Sequence, residues 1–215
     1  SGHEPDSMEF STLGGWISTN ASGMKKSKYG NIENIVINYK LYTSNGLITK
    51  SINTPRNSYG SVIHGCIFGS EGNFGIITEA TIKVHEKPEL VEYQSILFKN
   101  FNEGIKFMKD LTINNKNLLP SSVRLIDNRQ LNFAMALKPE KTKFGDWKEY
   151  FKNLFLEKYY GFDKDQMVLC TLTFEGKINE VYDKLSGVKL LASKYEGVFG
   201  GSDNGKKGYQ LTFAI

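Results

Sequence analysis

Hydrophobic and polar positions change period along the chain. From Ile32 to Thr43 apolar and polar residues alternate in part, as in a strand with one buried face. Ser44-Asn45-Gly46 comes next, and then a second run, Leu47 to Ser51. An Asn-Gly step between two such runs predicts a β-hairpin with a type I′ turn, whose two central residues need positive φ. Ile76, Ile77, Ala80, Ile82 and Val84 supply the apolar positions of a third strand over Gly75 to His85. Lys87-Pro88 then marks a boundary, because proline fixes its own φ and restricts the residue before it.

Beyond the boundary the period alternates between two and about 3.6. Tyr93 to Phe98 predicts a strand, and Asn102 to Asn114 a helix with Ile105, Phe107, Met108 and Leu111 on or near one face. Ser121 to Ile126 predicts a strand and Asn128 to Leu137 a helix. Asp146 to Tyr160 has Trp147, Tyr150, Phe151, Leu154 and Phe155 at helical spacing. Met167 to Phe174 predicts a strand, and Ile178 to Tyr195 a helix carrying Val181, Leu185, Val188 and Leu191 at the right period. Strands and helices in turn predict an antiparallel sheet with helices on one face, an α+β arrangement.

With 215 residues, 40% hydrophobic and 23% charged, the chain can build a real core. No run approaches the roughly 20 apolar residues that cross a bilayer. Ser1-Gly2-His3-Glu4-Pro5 has neither an initiator Met nor a leader-like segment, so the chain reads as the inside of a longer protein. The net charge of +4 is mild, and its densest cluster, Lys25, Lys26 and Lys28, reads as a solvated loop rather than a nucleic-acid site. Cys66 and Cys170 lie far apart in apolar settings, which suits reduced, buried thiols and no metal site. His3, His64 and His85 are scattered singly and read as structural.

Three glycine-containing segments carry the candidate chemistry. The first is Asp6-Ser7-Met8-Glu9-Phe10-Ser11-Thr12-Leu13-Gly14-Gly15-Trp16, and the second is Ile17-Ser18-Thr19-Asn20-Ala21-Ser22-Gly23. Small and hydroxyl-bearing residues at this density let backbone N–H groups approach an anion or a planar ring; the same composition suits a turn-rich edge of a β domain. The third, Gly69-Ser70-Glu71-Gly72-Asn73-Phe74-Gly75, runs into the strand at Ile76. Its spacing is GxxGxxG and the residues after it are β-branched, so it is not a Rossmann pyrophosphate turn at a helix N-terminus.

In this order, Glu9 to Gly15, Thr19 to Gly23 and Gly69 to Thr78 resemble the vanillyl-alcohol-oxidase-type (PCMH) FAD-binding family. Ala21-Ser22-Gly23-Met24-Lys25-Lys26 with Tyr29-Gly30-Asn31-Ile32-Glu33, Pro120 to Asn128, and Gly205-Lys206-Lys207-Gly208-Tyr209 are similar to its ether-lipid-forming branch. The resemblance implies that residues 1–88 are the second half of an FAD-binding domain and residues 89–215 the start of an α+β cap domain with an antiparallel sheet. It implies that FAD is lined by Asp6, Ser7, Met8, Glu9, Phe10, Ser11 and Thr12, by Thr19, Asn20, Ala21 and Ser22, and by Glu71, Gly72, Asn73, Phe74, Gly75, Ile76 and Ile77. The family's other flavin loop, a proline-glycine segment, is not in these residues.

The resemblance also implies a transferase that exchanges the acyl chain of acyl-dihydroxyacetone phosphate for a long-chain fatty alcohol. The exchange would run through covalent attachment at the flavin N5 with no net oxidation. Arg124 is the implied catalytic residue. In Ser122-Val123-Arg124-Leu125 alternation sends Val123 and Leu125 to one face and Arg124 to the other, and a guanidinium holds a phosphate or carboxylate bidentately. The family's tyrosine and histidine motifs are absent from these residues. A homodimer, peroxisomal and peripherally attached to a membrane, is implied as well, with no nucleic-acid partner. The stretch Trp147 to Tyr160 suits ordinary helix packing, or an acyl tunnel or membrane contact. Two rival readings remain, an FAD-dependent 2-hydroxy-acid oxidase or dehydrogenase of the same fold, and a non-enzymatic binding module.

Overall fold

The computed structural model describes residues 1–56, 58, 63–136, 161–163 and 165–211. The expected helix over Asp146 to Tyr160 lies outside the described residues. The chain divides into two compact units, Ser1–Lys87 and Pro88–Ile215.

The first unit holds α1 (Leu13–Ser18), the single turns α2 (Lys26–Tyr29) and α3 (Ile32–Ile35), and the strands β1 (Val36–Thr43), β2 (Gly46–Ile48) and β3 (Ile76–Ile82). The strands form an antiparallel sheet in the order β2-β1-β3. Ile17, Ile32, Tyr39, Leu41 and Ile67 make its buried core. The central strand begins at Val36 rather than Ile32, because Ile32 and Ile35 are spent as the i, i+3 pair of a helical turn. That turn is closed at its start by the Asn31 N–H donating to Asn34 Oδ1 at 3.1 Å.

The hairpin forms, but its turn is not the expected one. Thr43 pairs with Gly46, which leaves Ser44-Asn45 as the loop. Asn45 is not among the positive-φ residues, while Gly46, at φ +119°, is. Thr43 substitutes for the Asn-Gly geometry: its Oγ1 accepts from Asn45 N at 3.1 Å and donates to Gly46 O at 2.9 Å. The second strand also stops early. The buried Asn38 side chain takes both backbone groups of Lys50, accepting its N–H at 3.1 Å and donating to its carbonyl at 3.3 Å. A side-chain amide thus replaces the ladder where the sequence suggested more strand.

The second unit is built on a four-stranded antiparallel sheet in the order β5-β6-β4-β7. These strands are β4 (Leu90–Phe98), β5 (Ser122–Ile126), β6 (Val168–Gly176) and β7 (Val198–Phe199). Helices α4 (Phe101–Ile113) and α6 (Ile178–Ser193) cover one face, and α5 (Asn128–Ala136) follows β5. Ile96, Phe98, Cys170, Leu172 and Phe174 from the strands meet Phe107 and Leu111 of α4 and Val181, Leu185, Val188 and Leu191 of α6. Asn100 starts α4 as its cap, accepting from Glu103 N at 3.1 Å.

The opposite face is not bare, contrary to the one-sided arrangement expected. Helix α7 (Ser202–Leu211) packs on β4 and β6. Its Gly205 lies against the Gln94 backbone, where an added Cβ would fall 2.5 Å from the carbonyl carbon, and Gly208 lies against the Thr171 methyl. Two glycines three residues apart let this helix sit directly on the strands. Ser95 and Thr171 beneath it are correspondingly small, and Ser95 Oγ donates to Gly201 O at 3.2 Å.

The two thiols differ. Cys170 is buried in the second core, and burial pushes its thiol well above the ordinary range. Cys66 is exposed at the 3₁₀ turn Ile63–Ile67, against the expectation that both are buried. Among the described residues no helix is long and apolar enough to cross a membrane.

Candidate functional site

Helix α1 is the hub of the first unit's glycine-containing segments. At its start Thr12 is extended (φ −103°, ψ 155°), and its Oγ1 accepts from Gly15 N at 3.1 Å. Asp6 to Thr12 is held by a relay: Trp16 Nε1 donates to Ser11 Oγ at 2.6 Å, and Ser11 Oγ donates to Ser7 O at 2.9 Å. At the far end of α1, Ala21 N donates to Trp16 O, which turns Thr19 to Ser22 back beneath the helix. The third segment is tied to the same end by Glu71 N donating to Ser18 O at 2.9 Å. Gly14 packs on Ile77, where a Cβ would meet the carbonyl oxygen at 3.4 Å. The three predicted segments, 6–12, 19–22 and 71–77, are therefore brought together around one short helix.

Their conformations suit backbone turned toward a ligand. Ser7, Asn20 and Glu71 have φ near +50°, and Gly69 and Gly72 have φ +77° and +83°. Each such non-glycine residue stores strain that the surrounding structure offsets. Among the described residues no acceptor is hydrogen-bonded to the N–H of Gly72 or Phe74. No atom lies within 4 Å of a Cβ built on Gly72, so the loop is open there. The Ser70 hydroxyl is buried with no partner. In the same segments Phe10, Phe74 and Ile76 are 90%, 56% and 72% exposed. Free amides, an open glycine and exposed apolar side chains fit a large ligand with both anionic and planar parts.

Replacing Thr12 by Ile should disconnect this arrangement. The substitution removes a cap worth about 1 kcal/mol and adds bulk to a loop expected to line the cofactor. The full-length variant is expected to lose flavin absorbance per mole of protein, whereas Thr12→Ser, which keeps the cap, retains it. Full flavin content in Thr12→Ile would take this segment out of the site.

His3, which the sequence marked only as structural, is buried under α1 with its ring edge-on to Trp16 at 5.5 Å. Neither ring nitrogen has a hydrogen-bond partner. Burial holds its pKa below the ordinary 6.5, opposed by the Glu33 carboxylate. The unfolded chain therefore takes up the proton first as pH falls, and stability contributed by neutral His3 is lost on acidification below about 6.5. Thermal denaturation of the full-length protein at pH 7 and pH 5.5 checks this. His3→Phe, which keeps an aromatic contact with Trp16, should show the smaller drop.

Arg124 lies in the second unit on β5. Val123 and Leu125 pack on the core while Arg124 is exposed, opposite Thr171 of β6. The lysine cluster is not a free basic patch. Lys25 is buried and donates to Glu4 Oε1 at 2.7 Å, and Lys28 sits over the Tyr29 ring at 5.3 Å. His85 packs against the same tyrosine, its ring 4.8 Å from that of Tyr29. Among the described residues no three His, Cys, Asp or Glu side chains group as metal ligands.

Residues 1–51 match the family described as FAD binding domain. The chain thus carries part of a flavoprotein's cofactor domain, and FAD is its cofactor. Over all 215 residues it is 43% identical to the alkyldihydroxyacetonephosphate synthase of Caenorhabditis elegans, of which it covers 36%. A solved alkyldihydroxyacetonephosphate synthase structure superposes on the whole chain with a TM-score of 0.84 and 32% identity, over 37% of its own length. The mitochondrial D-lactate dehydrogenase [cytochrome] 1 of Saccharomyces cerevisiae is 31% identical, but over only 64% of this chain and 23% of its own length. The chain is homologous to the alkyldihydroxyacetonephosphate synthases, and it spans about a third of the length of those relatives.

Proposed function

We propose that this chain is the central part of an FAD-dependent transferase that replaces the acyl chain of acyl-dihydroxyacetone phosphate with a long-chain fatty alcohol. The observation that carries the reading is similarity to alkyldihydroxyacetonephosphate synthase along the entire chain, cap unit included. In this reading residues 1–88 are the second half of the FAD-binding domain and residues 89–215 the start of the cap. Backbone groups of Asp6–Thr12, Thr19–Ser22 and Glu71–Ile77 hold the cofactor. Bound FAD supplies a nucleophilic nitrogen for an exchange without net redox. Arg124 holds the charged end of the substrate with its fork of donors. Like the family it resembles, the whole protein would be a homodimer, peroxisomal, and peripherally attached to the membrane that supplies its lipid substrates.

A 2-hydroxy-acid dehydrogenase is the second reading, favoured by the match to D-lactate dehydrogenase. That match leaves about a third of the chain uncovered, whereas the Caenorhabditis elegans synthase matches all of it. Assaying the full-length protein for ether product and, separately, for flavin reduction by 2-hydroxy acids separates the two. Ether formation without flavin reduction supports the transferase; hydroxy-acid-dependent reduction without ether product overturns it.

A further inference from the structure

The face of the cap sheet that carries Arg124 is polar, and not all of that polarity is explained by packing. On β5 this face presents Ser122 and Arg124, and on β6 Thr171 and Thr173. The register sets Ser122 directly opposite Thr173 and Arg124 opposite Thr171. Thr171 has a structural reason to be small, because its methyl group meets Gly208 of α7. Thr173 also lies on the face that α7 covers, its β4 partner Tyr93 packing on Tyr209 of that helix, but that packing does not account for its hydroxyl. Thr173 is only 1% exposed, and its hydroxyl has no hydrogen-bond partner. A buried hydroxyl left unsatisfied is uncommon and asks for a missing partner. Ser122 is 2% exposed. Among the described residues neither the Ser122 hydroxyl nor the Arg124 guanidinium makes a hydrogen bond or ion pair.

We propose that Ser122 and Thr173 complete, with Arg124, a seat for the phosphoryl group of the substrate on the cap sheet. This rests on the reading of the protein as an enzyme acting on a phosphorylated lipid. Directly paired residues on neighbouring strands lie about 5 Å apart and diagonal ones about 7–8 Å, so the three side chains form a triangle of the size of one tetrahedral oxyanion and its donors. The guanidinium supplies charge and two parallel donors, and the two hydroxyls supply neutral donors that fix orientation. Glu175, the next residue on this face of β6, lies on the far side of Thr173 from Arg124. A phosphoryl dianion uses this many donors more fully than a carboxylate does.

The test is binding of inorganic phosphate to the flavin-loaded, full-length protein, followed by titration calorimetry or phosphorus NMR. Thr173→Val and Ser122→Ala should each weaken phosphate binding roughly ten- to 150-fold, the span for hydrogen bonds to an ion. Arg124→Lys should weaken it at least as much. Thr173→Ser restores the hydroxyl and should restore binding. Thr173→Val should leave the melting temperature unchanged or higher, because it removes an unpaired buried hydroxyl. A lower melting temperature with unchanged phosphate affinity would make Thr173 a structural residue and overturn the proposal. So would hexanoate binding at the site in place of phosphate. Phosphate binding is read whether or not ether product forms, so failure of this seat is distinguishable from failure of the proposed reaction.

Discussion

Arg124→His in the full-length enzyme is expected to slow alkyl exchange roughly thirty- to a thousandfold while leaving the protein folded and flavin-loaded. Loss of a charge-assisted contact made in the transition state corresponds to on the order of 2–4 kcal/mol of barrier. The fold separates this effect from stability. Val123 and Leu125 carry the packing of β5, whereas Arg124 is exposed, and exposed substitutions usually change stability by no more than about 0.5 kcal/mol. Arg124→Lys should fail nearly as badly, because an ammonium keeps the charge but loses the planar fork. Steady-state exchange rates measured beside flavin content and melting temperature check both variants. Near-normal exchange by Arg124→His demotes the residue to a surface arginine.

Gly75→Ala carries the largest expected loss of stability. A Cβ there would fall 2.2 Å from the carbonyl oxygen of Tyr42 and 3.0 Å from its carbonyl carbon, and φ is +149°. The obstacle is the backbone of β1, which cannot swing aside as a side chain can. Strain in a glycine-only conformation and overpacking each cost about 1–3 kcal/mol, so the sum is on the order of 2–4 kcal/mol after relaxation. Gly72→Ala is the contrast, because no atom lies within 4 Å and only φ +83° opposes the substitution. Its stability loss should be about 1 kcal/mol, with flavin affinity falling more than stability. Thermal denaturation and flavin titration of both variants check the pair. Equal losses of stability at the two positions would contradict this division between a glycine packed against β1 and one that faces open space.

Much of the second unit was legible because its signals are periodic. Phe107 and Leu111, or Val181, Leu185 and Val188, recur at helical spacing, and each ends in the same buried cluster. The strand at Ser122–Ile126 was legible from two-residue alternation and begins one residue later than expected. Helix α7 was not legible, because Gly205 and Gly208 lower helix propensity and its stabilising contacts are with β4 and β6 rather than along its own length. In the first unit α1 was hidden for a similar reason. Leu13-Gly14-Gly15-Trp16 has poor intrinsic propensity, and the helix depends on the Thr12 cap and on Gly14 fitting against Ile77. The hairpin was read correctly and its turn type was not, because the Thr43 hydroxyl, a local competitor for backbone groups, moved the turn back by one residue. The convergence of the three glycine-containing segments could be read only through resemblance. Bonds such as Glu71 N to Ser18 O join residues more than fifty positions apart, and nothing local in either segment announces the other.

The most direct measurement of the central claim is made on the full-length protein, supplied anaerobically with acyl-dihydroxyacetone phosphate and a labelled long-chain alcohol while its visible spectrum is recorded. The account predicts a yellow protein that forms labelled ether product and a free fatty acid, with the oxidised flavin spectrum regained at the end of turnover. A colourless protein, or a yellow one that forms no ether and is bleached instead by 2-hydroxy acids, would contradict it.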